Sequence, residues 1–334
     1  MDPERRAALQ LAKLRALAPV DDAEGEVLAF GPVVRHEPEA WALVEDLTTM
    51  VGAVVWALRN EVQQLHVVVE PSDTLDTDSI ASSASLFARP LIMVWRASVD
   101  GLDEVVPPQP RRQTAVPVGP AAAEPLMAVL REHGVEPVVE EDSVIGEIAG
   151  LEVARIDLES DQPELSVGVG QFDRDLNDML AEMEGTDPAV QLATAARAVG
   201  RHRRPGAPPH PLYRLRRERW LRSAIVAEPG IVSCIRLVPV PPLPVVGLRS
   251  PSPAPALGED DSGEATLVVC SVGVDPTLPL VAAELRRRYA PDARLLLVVP
   301  EADDYPVTRE LAGALRGAVE VRPVAAPWLG TSVP

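Results

Sequence analysis

The sequence predicts an α/β protein with three parts. These are a Rossmann-like parallel βαβαβ unit at the C-terminal end, a similar α/β layer at the N-terminal end, and an α+β antiparallel meander between them. Three observations carry this reading. Short runs rich in Val, Leu and Ile alternate with segments of three- and four-residue apolar spacing at both ends of the 334-residue chain, which implies parallel strands joined by helices. In the middle, short strand-like runs are separated by Gly and Asp-Pro turns, which implies antiparallel pairing. Apolar residues make up 46% and aromatics only 3%, so the cores must be aliphatic.

In chain order, residues 1–104 form the N-terminal layer. A charged helix is expected over Pro3–Leu17 and a strand over Glu26–Val34. Pro38 then opens a long helix, because Trp41, Val44, Leu47, Val51, Val55, Leu58 and Val62 recur at helical spacing. A strand over His66–Glu70, a helix over Asp78–Phe87 and a buried strand over Leu91–Trp95 complete the layer. Residues 105–120 are a proline-rich linker.

Residues 121–200 are the α+β region. It opens with a helix over Ala121–His133, followed by strands at Glu136–Glu140, Val144–Ile148, Leu151–Ile156 and Leu165–Val169. Helices at Asp173–Met183 and Pro188–Val199 close it. Residues 201–238 are an arginine-rich helical segment with a helix over Pro211–Val226. Residues 239–264, rich in Pro, Ser and acids, read as an exposed loop, mobile and protease-sensitive from Ser250 to Gly263.

Residues 265–334 form the C-terminal unit, with strands in TLVVCSVGVD, RLLLVVP and AVEVRPV and helices between them. Leu267–Ser271 and Leu295–Val299 should be adjacent, parallel and buried on both faces, since their runs are nearly continuous rather than alternating. Residues 66–94 have similar β–acidic loop–α–β spacing, and whether the two units are a duplication stays open.

Composition excludes several classes. Lys13 is the only lysine and no glycine-rich loop precedes it, which argues against P-loop and pyridoxal chemistry. Gly273 stands alone after its strand, so the dinucleotide fingerprint is missing. The five histidines lack metal-ligand spacing, so no metal site is expected from them, and no nucleophile-elbow serine is present. The N-terminus lacks the apolar core of a secretory signal, and Met50–Leu58, the longest apolar run, is too short to span a bilayer. Cys234 and Cys270 read as reduced, buried thiols of a cytoplasmic protein. A net charge of −19 argues against duplex DNA or an anionic membrane as partner.

Two sets of residues carry the functional expectations. At the strand ends, Asp275 and Asp304 read as helix caps, each followed closely by proline. Alternatively, Asp275, Glu301, Asp303 and Asp304 hold Mg²⁺ as the catalytic residues of a phosphodiesterase, nuclease or phosphoryl-transfer enzyme. The acids Asp142, Glu147, Glu152 and Asp157 of the meander read as solvated strand faces.

The second set is an arginine island. Residues 197–222 hold nine arginines against one acid, Glu218, in an otherwise acidic chain. Arg203, Arg204, Arg214 and Arg217 are the expected ligand-binding residues, with interleaved Tyr213 and Trp220. The favoured function is a non-catalytic cytoplasmic protein that binds another protein or a small anionic ligand, without a cofactor. The alternatives are the Mg²⁺ enzyme and a structural subunit of a homo-oligomer.

Overall fold

The structure is a computed structural model, described for residues 2–20, 23–70, 76–109, 120–159, 162–169, 187–243 and 252–329. Most of the linker, the helix expected at Asp173–Met183, the Pro71–Asp73 loop and residues 244–251 lie outside the described residues. The protein is mixed α/β, as the sequence predicts. Its contacts gather the chain into two units that cut across the segments read from the sequence. One comprises Met1–Arg112, Asp275–Arg288 and Tyr305–Glu320; the other comprises Gln113–Val274, Tyr289–Asp304 and Val321–Pro334.

In the first unit, a six-stranded sheet runs in chain order: β1 (Glu24–Leu28), β2 (Gly31–His36), β3 (Glu39–Val44), β4 (Gln64–Val69), β5 (Leu91–Ser98) and β6 (Gly101–Glu104). β3, β4 and β5 are parallel, and the other pairings are antiparallel. Helix α1 (Pro3–Leu17) packs its Leu14 on one face with Trp41, Leu43 and Val68. The other face carries α2 (Leu47–Arg59) and α3 (Thr77–Ala84).

Two expectations fail here. The strand expected at Glu26–Val34 is the hairpin β1–β2, turned at Ala29–Phe30. The long helix from Pro38 is instead β3 followed by α2. Ala40, Ala42 and Val44 face the α2 side while Trp41 and Leu43 face α1, the period-2 alternation of a strand buried on both faces. A near-continuous apolar run satisfies both periodicities, and the capping chemistry decides between them. Asp46 Oδ1 accepts from Thr49 N at 2.7 Å and Thr49 Oγ1 accepts from Asp46 N at 2.9 Å, a capping box that starts the helix at Leu47.

Helices α7 (Leu278–Tyr289) and α8 (Pro306–Ala312) are formed by the C-terminal segment, yet their Leu280, Ala283 and Leu311 complete the core of the first unit with Met50, Val54, Val67 and Ile80. Ala88 N donates to Ala314 O at 2.8 Å and Arg316 Nε to Ser85 O at 2.9 Å, which ties the end of α3 to the chain after α8.

The second unit holds two sheets. The meander β7 (Glu136–Val139), β8 (Ser143–Ile148), β9 (Leu151–Asp157) and β10 (Glu164–Val167) is antiparallel throughout, as expected. It packs against α4 (Glu124–Glu132) and α5 (Pro188–Gly200) through Leu130, Ile156 and Leu192. The other sheet has β11 (Cys234–Pro239), β12 (Ala254–Asp260), β13 (Ala265–Cys270), β14 (Arg294–Pro300) and β15 (Val319–Val324), again in chain order. Helix α6 (Arg217–Ala227) covers it with Trp220, Leu221 and Ile225 over Ala256, Val268 and Cys270.

The loop expected over residues 239–264 contains β12, paired on both sides by β11 and β13. Small residues explain the error. Ala254 and Ala256 are buried beneath α6, and a Cβ at Gly258 would sit 1.8 Å from the Arg236 carbonyl oxygen. The composition that suggested a loop here serves close packing. The acids that follow form a turn in which Asp260 Oδ1 accepts from Ser262 N and Glu264 N at 2.9 and 3.0 Å. Residues 252–263 are therefore an ordered strand and turn.

β13 and β14 are parallel neighbours with Leu267–Cys270 and Leu295–Val298 fully buried, as expected. Both large sheets keep chain order, so neither has the reversal of strand order at which doubly wound folds place a ligand. Among the described residues no helix is long and apolar enough to cross a membrane.

Both cysteines are free and buried, and burial pushes the Cys270 thiol up to about 12. Neither thiol should react with Ellman's reagent in the native protein, and both should react in guanidinium. Rapid labelling of Cys270 without denaturant would contradict this packing.

Candidate functional site

The arginine island folds around a buried carboxylate. Val144 and Ile148 of β8 face the core beneath α4 and α5, so Glu147 points from the opposite face, which α6 covers. Register against β9 shifts beside it, with Val153 as the extra residue. Arg219 and Arg222 stand three residues apart on that helix and so share a face. Arg219 Nη1 meets Glu147 Oε1 and Arg222 Nη2 meets Oε2, both at 2.5 Å, while Arg219 Nη2 reaches Glu140 at 2.8 Å. Glu147 is fully buried and Arg222 is 1% exposed. Burial pushes the Glu147 carboxyl up, but Arg222 and Arg219 outweigh it and hold the group below the ordinary range. Glu136, opposite Glu147 in register, is shifted the other way: burial raises it, and repulsion by Glu147 adds to that against the pull of Arg222. Ser223 Oγ donates to Glu136 at 3.1 Å.

Reading Glu147 as a solvated strand face is therefore wrong. Alternation does put Glu147 on the face away from Leu130 and Leu192, but α6 covers that face too, and the partners lie more than 70 residues along the chain.

Arg203 is a second anchor. Its Nη2 donates to Ala149 O at 2.5 Å and its Nη1 to Leu215 O at 2.7 Å, with longer bonds to the carbonyls of Leu212 and Arg216. Its guanidinium lies 4.3 Å from the Trp220 ring centroid. Burial lowers it to about 10, so it stays charged at neutral pH. These bonds explain why the helix expected over Pro211–Val226 is broken. A single turn over Pro211–Arg214 is followed by Arg216 in the left-handed region (φ 44°, ψ 50°) before α6 begins. The Ala149–Gly150 turn docks beside the carbonyls that Arg203 takes, where a Cβ on Gly150 would lie 2.2 Å from the Arg219 backbone.

The four expected ligand arginines occupy different environments. Arg203 is buried against carbonyls. Arg217 donates to Tyr213 O at 3.4 Å and lies over the Tyr213 and Trp328 rings at 5.2 and 4.9 Å. Arg204 and Arg214 are exposed, with no ion pair among the described residues.

The acidic strand-end candidates are partly committed to backbone. Asp275 Oδ1 accepts from Thr277 N at 2.9 Å and from its hydroxyl at 2.7 Å, a turn just ahead of α7, which starts at Leu278 rather than Pro276. The cap expected of Asp304 is not made: Tyr305 precedes α8, with no side-chain cap. Asp303 Oδ2 accepts from Gly273 N at 2.7 Å, while Glu301 is exposed and Asp304 half-buried. Among the described residues no group of three or more His, Cys, Asp or Glu side chains is placed to hold a metal ion.

What the island does shape is a cleft of about 290 Å³. Arg216 and Arg219 line it with Arg155 of β9. Glu140, Glu141 and Asp142 form an acidic wall, and Pro241–Leu243 an apolar one. Arg155 is held by Glu152 at 3.1 Å and Ser143 Oγ at 2.9 Å, and Arg219 by Glu140 and Glu147. Arg216 and Asp142 are charged groups in the cleft whose side chains have no partner among the described residues. Arg216 is missed by sequence reasoning because its role follows from the helix break. Searches with this sequence find no matching family model and no similar curated protein.

Opposite pH dependences follow. Glu147 contributes stability that is present above its ordinary value of 4.5 and lost as pH falls through its lowered folded value. Glu136, with a raised folded value, contributes stability below 4.5 that is lost as pH rises through that value. In pH-resolved melts, Glu147→Gln should cost about 3–5 kcal/mol at neutral pH, because two guanidinium groups lose their counter-charge. Glu136→Gln should raise the melting temperature at pH 7, with the gain vanishing below pH 4.5. A destabilised Glu136→Gln at pH 7 would overturn the assignment.

Proposed function

We propose that this is a non-catalytic binding protein whose arginine-rich segment receives the anionic group of a small ligand in the cleft at Arg216. The observation that supports this best is the contrast within the cleft. Arg155 and Arg219 are fixed by carboxylates, whereas Arg216 lines the same space without a partner among the described residues. An unsatisfied guanidinium in a cleft with two oriented ones suits a carboxylate or phosphate, which takes forked donors. Asp142, on the acidic wall, favours a ligand that also carries an ammonium or N–H group. The volume of about 290 Å³ fits a molecule of amino-acid size rather than a nucleotide.

A binding role rather than catalysis is supported by the Ser143 hydroxyl. It is hydrogen-bonded to the Arg155 guanidinium, which cannot serve as a general base. Two free, buried thiols support a cytoplasmic setting.

Melting curves with inorganic phosphate, sulfate and a panel of α-amino acids test the reading. A bound anion should raise the melting temperature by mass action. Arg216→Gln should weaken that ligand about tenfold or more, the cost of a lost charge-assisted bond, without lowering the unliganded melting temperature. Asp142→Asn should weaken amino acids and strengthen phosphate. The reading fails if none of these ligands shifts the parent, or if Arg216→Gln responds like the parent.

A further inference from the structure

Helix α2 has no charged side chain before Arg59, and from Met50 to Leu58 it is apolar on all faces. A helix at a protein surface ordinarily turns polar residues outward. Met50, Ala53, Val54 and Ala57 are buried in the core of the first unit, but Val55 and Trp56 are only partly covered. They open into a groove of about 510 Å³, well within the range of small-molecule sites. Val51, Gly52 and Val55 make its floor, and Phe30, at the tip of the β1–β2 hairpin, makes one wall. Pro276 and Val307 also line it, with Thr48 and Asn60 among its polar residues. From Thr48 to Asn60 the helix rises about 18 Å, which sets the length of the groove.

We infer that this groove binds a small, mainly apolar molecule carrying one hydrogen-bonding group, seated at the Asn60 end. Three features point to a ligand site rather than an unfinished core. The wall is preformed: Gly52 lets Phe30 rest directly on the helix, since a Cβ there would lie 2.6 Å from Phe30 Cβ. At the Arg59 end the lining is oriented by a two-pronged pair, in which Arg59 Nε and Nη2 reach Glu310 Oε2 at 3.1 and 3.0 Å. Asn60 donates to Trp56 O at 2.8 Å, and its Oδ1 has no partner among the described residues.

The apolar surface also ends at the groove. Of the exposed large apolar residues in this unit, Leu9, Leu91, Val99 and Val106 belong to other elements, and only Val27 lies on the hairpin. A protein partner needs about 800 Å² on each side, so a compact apolar molecule is the better fit. A straight-chain alcohol has the required chemistry, with its hydroxyl donating to Asn60.

The test uses the full chain and 1-decanol. Decanol should raise the melting temperature of the parent and change its tryptophan fluorescence through Trp56. A decanol analogue bearing a diazirine should label the peptide spanning Thr48–Asn60. Val55→Trp, which fills the groove, should weaken binding at least tenfold while folding normally, and Val55→Asn should weaken it by making the floor polar. The inference is overturned if decanol leaves the parent unchanged, if the label maps elsewhere, or if Val55→Trp binds like the parent. It is equally overturned if light scattering shows the parent self-associating and Val55→Trp abolishing that association, since the groove would then be an interface between copies.

Discussion

Everything distinctive about the second unit depends on one buried carboxylate held between two arginines. Removing a carboxylate from water costs several kcal/mol unless opposite charge and hydrogen bonds replace the lost hydration. Glu147 meets that condition through Arg219 and Arg222, which come from a different element. The arrangement is all-or-nothing: with one member missing, the others are left charged and dry. It therefore fixes the rotation of α6 against the β7–β10 meander more sharply than aliphatic contact could. The close approach at Gly150, the Arg203 clamp on Ala149 and the placing of Arg216 in the cleft follow from that rotation.

The first unit is built on different physics. Its parallel strands are covered on both faces, so nearly every side chain of β3 and β4 is apolar and shape alone orders them. Apart from the half-buried Glu39 and Gln64 that open the strands, the exception is His66, stacked on Trp41 at 4.0 Å between ring centroids and accepting from Trp95 Nε1 at 3.0 Å. That bond requires an unprotonated Nδ1, and burial lowers the histidine's affinity for a proton despite Glu39 at 3.2 Å. The one strongly polar side chain in these buried faces is thus kept neutral.

How much of this was legible in the sequence depends on whether the deciding interaction is local. Strands β13 and β14 were readable because a continuous Val/Leu run of strand length has few other uses, and the meander was readable from its turns. Glu39–Val44 reads as helix because AWALV satisfies helical and strand spacing alike, and only the capping box at Asp46 separates the two. β12 was hidden by Pro, Ala and Gly residues, whose small size is what lets α6 and Arg236 approach. For the candidate cleft, the arginine concentration points to the segment that supplies Arg216 and Arg219 to its lining. Which arginines line the cleft was not readable, because it depends on carbonyls and carboxylates contributed by β7, β8, Glu140 and the Ala149 turn.

The route of the chain between the two units has a consequence for how the protein is made. The first unit's core needs Leu280, Ala283, Leu311 and Leu315, yet its sheet is finished by Glu104. A ribosome adding about 5–20 residues per second reaches Leu280 some 10–40 s after it leaves β6. Throughout that interval the inner faces of α2 and α3 have no cover from α7 and α8. The early sheet is a half-built body that must stay out of aggregates, and the acidic charge spread over the chain is the natural means of keeping such nascent molecules apart.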